Sequence, residues 1–173
     1  MKFLHIATLL GYLLPSVVLA NATISFILPS GVEVTIVESV FQKEKFDIKG
    51  CSIGSSVCRI NGHIPFGVTF GFPNTYLKNI TASYQGHSYT LDVADMYNAW
   101  GNRSLEHPGV IRYFGGRCYD KSNCQFRGIF SDAAGSFVAE WLIVDGLAIR
   151  TVLTSSNDVV NLFKKNIDPP EFD

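Results

Sequence analysis

Phe137-Val138-Ala139-Glu140-Trp141-Leu142-Ile143-Val144-Asp145-Gly146-Leu147-Ala148-Ile149-Arg150-Thr151-Val152-Leu153-Thr154 is the stretch whose reading decides the fold. Two runs rich in β-branched, aromatic and aliphatic residues flank Asp145-Gly146, a dipeptide suited to a two-residue type I′ turn. Such a turn pairs Val144 with Leu147, which sets Arg150 opposite Trp141 and Glu140 opposite Thr151. One face then collects Val138, Leu142, Val144, Leu147, Ile149 and Leu153, together with Glu140. The other collects Phe137, Ala139, Trp141, Ile143, Ala148 and Val152, together with Arg150. Both faces are largely apolar, so the hairpin is expected to be central and covered on both sides. Residues 126–130 form a further strand-like run, joined to it through Asp132-Ala133-Ala134-Gly135, which extends the hairpin to a three-stranded C-terminal meander.

Downstream, Ser155 or Ser156 can cap a closing helix whose stripe is Val159, Val160, Phe163 and Ile167. Lys164 and Lys165 suit its negative end, and Pro169-Pro170 stops it. Upstream, Ile24, Phe26 and Leu28 alternate up to Pro29-Ser30-Gly31, and Val32, Val34 and Ile36 alternate after it, which reads as a hairpin. Asn61-Gly62 marks a second hairpin, and Gln85-Gly86 turns a run ending at Tyr84 back through Tyr89 and Leu91. Asp92 followed by Val93, Met96, Tyr97 and Trp100 has the spacing of a short mid-chain helix, with Gly101 placed to stop it. Residues 110–114 read as one more strand. The expected class is α+β: mainly antiparallel sheet, with a short mid-chain helix and a C-terminal helix packed on the sheet.

Residues 1–22 read as a signal peptide and residues 23–173 as one globular domain. Met1-Lys2 opens an apolar run that reaches Leu19. Ala20-Asn21-Ala22 offers a cleavage site, and Val18-Leu19-Ala20 offers a second. No later run is long and apolar enough to cross a bilayer, so no membrane span is expected after cleavage. Export places Cys51, Cys58, Cys118 and Cys124 in an oxidising compartment, where an even count reads as disulfides. The local pairing Cys51–Cys58 and Cys118–Cys124 is the expected one. Each short ring adds roughly 2–2.5 kcal/mol in the chain-entropy model. A zinc site would need tighter spacing, and no metal or other cofactor is implied.

Fourteen Lys plus Arg against fifteen Asp plus Glu leave a net charge of −1, without the basic excess of a nucleic-acid protein. With 47% hydrophobic residues the chain is also too apolar for a disordered one. No catalytic constellation emerges. Gly50-Cys51-Ser52-Ile53-Gly54 spells a nucleophile elbow but lacks the strand before it and the helix after it. His63, His87 and His107 read as turn residues, and Asp92 and Asp95 as helix-start residues. Glu140, on an apolar face, is read as a hydrogen-bonded or rim group in preference to an acid catalyst. Arg150 is expected to stack on Trp141. Asn21, Asn79 and Asn102 each open a glycosylation sequon.

The most function-like segment is residues 117–124. A Cys118–Cys124 bridge would hold Tyr119, Asp120, Lys121, Ser122 and Asn123 as a rigid polar loop beside Arg117, lowering the ordering cost of binding. Tyr97-Asn98-Ala99-Trp100 and Phe130-Ser131-Asp132-Ala133-Ala134-Gly135-Ser136-Phe137-Val138-Ala139-Glu140-Trp141 resemble stretches of small exported bacterial proteins of the immunity or inhibitor type. That resemblance implies a periplasmic or secreted, non-enzymatic protein that neutralises a partner by protein–protein contact, the partner being a secreted cell-wall hydrolase or a toxin. An envelope accessory or structural module is the alternative, with a secreted hydrolase behind it.

Overall fold

The structure, a computed structural model, describes residues 21–52, 58–101, 110–131 and 133–169. Most of the expected leader, the residues Ile53-Gly54 of the elbow-like motif, the Asn102 sequon, His107, Asp132 and Pro170 lie outside the described residues.

Two four-stranded antiparallel sheets share one core. The first has the order β1 (Ala22–Ile27), β2 (Glu33–Val40), β5 (Thr75–Tyr84), β6 (His87–Leu91). The second has the order β10 (Leu147–Thr154), β9 (Phe137–Val144), β8 (Cys124–Phe130), β7 (Phe114–Cys118). Val34, Ile36, Ile80, Ala82 and Leu91 of the first sheet meet Phe126, Phe130, Phe137, Trp141 and Ile143 of the second, all buried. A helix, α1 (Asn157–Lys165), lies on the outer face of the second sheet and packs Val160 and Phe163 on Ile129 and Val138. Two short strands, β3 (Ile48–Lys49) and β4 (Arg59–Ile60), pair in a small lobe stapled by Cys51–Cys58, with its own cluster around Ile60 and Tyr97. The architecture is thus α+β and mostly antiparallel, with the C-terminal helix on a sheet as expected.

The turn chemistry holds at each two-residue loop. Asn61-Gly62, Gln85-Gly86 and Asp145-Gly146 all have both residues at positive φ, the signature of type I′. Val144 pairs with Leu147, and Arg150 lies opposite Trp141. Beyond Arg150 a bulge intervenes, so Glu140 faces Val152 instead of Thr151. The slip moves Val152 to the helix side and Leu153 into the core between the sheets, reversing the faces expected for both.

Three further expectations fail for physical reasons. The C-terminal meander has four strands, not three, because β7 adds itself beyond β8. Strand β7 starts at Phe114, after a 3-10 turn at Val110–Tyr113 that replaces the expected strand start. Its Gly115-Gly116 is a poor strand former, but a Cβ at Gly115 would strike the Ile167 carbonyl and one at Gly116 the Phe126 ring. The mid-chain helix is absent as well. Asp95 and Asn98 sit at positive φ, and the backbone bonds outward: Phe66 N to Asp95 O, 2.8 Å; Leu77 N to Met96 O, 3.0 Å; Tyr97 N to Phe66 O, 3.0 Å. Met96 and Trp100 fill the inter-sheet core, whereas Tyr97 fills the small lobe. A stripe serving two cores imitates one helical face.

Candidate protein-binding face

The 118–124 loop is closed by its disulfide and shaped by Asp120. The Asp120 Oδ1 accepts the Ser122 amide at 2.6 Å and the Asn123 amide at 2.9 Å, and Oδ2 accepts the Asn123 side-chain amide at 2.8 Å. Those bonds, that of the Asn123 side chain first, hold the Asp120 carboxyl below its ordinary range. The loop then docks on the β9–β10 turn. Asn123 Oδ1 accepts the Asp145 amide at 3.2 Å, and the Ser122 carbonyl accepts the Gly146 amide at 2.9 Å. From the first sheet, the Tyr89 hydroxyl donates to the Lys121 carbonyl. Of the six residues expected to bind, Asp120, Ser122 and Asn123 therefore spend polar groups on building the loop. Tyr119 and Lys121 point to solvent, and Arg117 is half-buried on β7.

The docked loop is the corner of a larger surface. By register, Arg117, Gln125, Leu142 and Ile149 form one row across the outer face of the second sheet. Tyr119, Asn123, Val144 and Leu147 form the next, at its far end. The expected coverage of this face is only half realised. Tyr119 is 58% exposed, Val144 48%, Leu147 65% and Ile149 47%. Helix α1 covers the opposite half, where Arg127 and Glu140 pair at 2.6 Å with both side chains largely buried. Gln125 Nε2 and Thr151 Oγ1 also donate to Glu140, each at 3.0 Å, while Arg127 lies over the Phe163 ring. This network ties helix to sheet, and Glu140 accepts hydrogen bonds as expected. Arg150 does not stack on Trp141. It turns to the Asp92 carboxylate at 3.2 Å and the Ala94 carbonyl at 2.6 Å, while Trp141 Nε1 donates to the Asp92 carbonyl.

Other sequence candidates fall elsewhere. Cys51 is in a disulfide with Cys58, which removes the thiol from the elbow-like motif. His63 Nδ1 meets Asp95 Oδ2 at 3.0 Å beside a shallow cleft of about 280 Å³ lined by Phe46, Tyr76 and Tyr97. There the Tyr97 hydroxyl is pushed up to about 12, by burial first and then by the Asp95 charge. Sequence reading missed this pair because its members lie in separate turns, 32 residues apart. Asn79 donates to Thr81 Oγ1 on the outer face of the first sheet, and Asn21 accepts from Ser39. Among the described residues no group of three or more His, Cys, Asp or Glu is placed to hold a metal.

Comparison with protein-family models, with curated proteins and with solved structures gave no match to this chain.

Proposed function

We propose that this chain is an exported binding protein of the immunity or inhibitor type, which neutralises a partner enzyme or toxin by covering part of it. The observation that carries this reading is the bare apolar half of the second sheet's outer face, with the disulfide-clamped loop at its corner. Contiguous exposed apolar surface on an otherwise well-packed domain marks association. A standard interface buries about 800 Å² on each partner, so the two rows form its centre and Lys121 and Asp145 stand at the rim. The rows sit on strands, and the loop is held by its bridge and by its bonds to the turn, so little ordering entropy opposes binding.

Two disulfides suit an oxidising compartment, and periplasmic delivery is the reading that joins them to the apolar start of the chain. Ala22 on β1 pairs with Glu38 on β2, and Asn21 bonds Ser39. Cleavage after Ala20 preserves both contacts, and we take it over cleavage after Ala22. The partner class is a secreted cell-wall hydrolase or a toxin, and the chain itself performs no catalysis. Isothermal titration of the mature chain against secreted lytic enzymes encoded beside its gene tests the reading. A one-to-one complex that inhibits the enzyme is expected; no complex with any such enzyme would sink it.

A further inference from the structure

A second apolar surface lies at the opposite end of the molecule. Residues 64–74, Ile64-Pro65-Phe66-Gly67-Val68-Thr69-Phe70-Gly71-Phe72-Pro73-Asn74, contain no ionisable side chain. Phe70 is 79% exposed, Ile64 59% and Phe72 51%. The base of this loop is fixed. The Phe66 amide donates to Asp95 O at 2.8 Å, the Tyr97 amide to Phe66 O at 3.0 Å, and Asn98 Nδ2 to Gly67 O at 3.1 Å. On the returning side the Phe41 amide bonds Asn74 O at 2.8 Å, while Val68 packs into the cluster around Ile60 and Tyr97. A firmly seated loop thus holds two phenyl rings in water.

The lobe that carries it is net basic. Residues 41–76 hold Lys43, Lys45, Lys49 and Arg59 against Glu44 and Asp47, and Asp95, paired with His63, adds one acid at the loop's base. Arg59 lines the same cleft as Ile64, Val68 and Phe70. An apolar tip beside Arg59 on a net-basic lobe complements a surface that is negative outside and apolar within, which is the profile of an anionic bilayer. We propose that the 64–73 loop is a membrane-surface contact that inserts Phe70 and Phe72 among the headgroups of an anionic phospholipid bilayer. The contact is peripheral, since no described helix is long and apolar enough to cross a membrane.

Phe66 packs near Phe137 at the start of β9, and Val144 stands at its end, roughly 23 Å away along the strand. Lipid contact at the loop therefore leaves the two-row face at the far end of the sheet. This inference stands independently of what that face binds.

Co-sedimentation of the mature, disulfide-bonded chain with sucrose-loaded vesicles tests it. One set is phosphatidylcholine alone, and the other has a third of its lipid replaced by phosphatidylglycerol. The chain should sediment with the anionic vesicles in preference to the neutral ones, and less so as salt rises. The double variant Phe70→Ser/Phe72→Ser should bind at least about tenfold more weakly. Leu147→Ser/Ile149→Ser should bind lipid as the wild type does. Equal binding to both lipids, or undiminished binding by a folded double phenylalanine variant, overturns the proposal. Failure to bind either vesicle also overturns it and leaves the loop to a protein partner. Should the double variant not fold, the lipid preference and salt dependence of the wild type decide alone.

Discussion

The two sheets turn very different surfaces to solvent. The first shows Thr23, Ser25, Thr35, Thr81, Ser83, Ser88 and Thr90, interrupted by Ile27, Val37 and Asn79. Several hydroxyls satisfy one another across strands, Ser25 with Thr35 at 2.7 Å and Ser83 with Ser88 at 2.8 Å. The second shows Leu142, Val144, Leu147 and Ile149 wherever α1 does not reach. Both sheets bury a largely apolar inner face, so the core does not explain the difference. Hydroxyls on a strand lose nothing by meeting water. An exposed Leu or Ile forgoes roughly 25 cal/mol for each Å² it could have buried. The contrast sets a solvated wall against the surface proposed above to meet a partner.

The contrast can be broken or sharpened by substitution. The largest effect is expected at the brace that divides the second face. Glu140→Ala leaves Arg127 buried and unpaired under the helix, and should cost about 3–5 kcal/mol in urea unfolding. A loss below about 1 kcal/mol would mean that apolar contacts alone hold α1 in place. Next, Cys118→Ser/Cys124→Ser removes a short ring and should lower stability by about 2 kcal/mol, loosening the corner of the two-row face. Unchanged partner affinity in that variant would show that the loop is a staple only.

The sharpest comparison pairs Leu147→Ser/Ile149→Ser with Thr23→Val/Thr90→Val. Both pairs should change stability by no more than about 0.5 kcal/mol at each exposed site. Only the first should weaken partner binding, by about 30-fold or more. Equal effects from the two faces would erase the distinction between them.

The smallest effect concerns Glu38, an acid that the first sheet buries. Burial raises its carboxyl above its ordinary value of 4.5, against the opposing hydrogen bond from Thr75 Oγ1 at 2.6 Å. The folded state therefore binds this proton more tightly than the unfolded one. The stability it contributes is present at low pH and declines as pH rises from 4.5 through the folded value. Glu38→Gln should be more stable than wild type at neutral pH, with the gap closing as acid approaches 4.5. A gap that stays constant across a pH series of thermal melts would contradict this assignment.

The fold's legible parts were those with short causes. Period-two alternation marked both strands of the first hairpin, and three two-residue turns were readable because their conformation needs residues tolerant of positive φ. Both disulfide pairings were readable from ring size. Strand β7 hid behind its paired glycines, whose reason for being there is the Ile167 carbonyl and the Phe126 ring pressing on them. The false helix at residues 93–100 arose because periodicity reports that side chains turn inward, without reporting toward which core. The bulge at Thr151 left no mark in composition, yet it exchanged the faces of Val152 and Leu153. For the loop, sequence expected a clamped polar segment, and its Tyr119 and Lys121 do reach solvent. It could not tell that Asp120 and Asn123 would be consumed in shaping and docking it.

The amino-acid order by itself settled the two-residue turns, the runs flanking them, which cysteines join and that a helix closes the described chain. Each of these depends on residues close together along the backbone. Only the tertiary structure decided which half of an apolar face stays bare, since that depends on where α1 crosses a sheet assembled from distant segments. The same holds for the Phe70 loop. Its lack of charge is visible in the sequence, but its exposure exists only because the bonds from Asp95, Tyr97 and Asn98 seat its base and leave its tip outside.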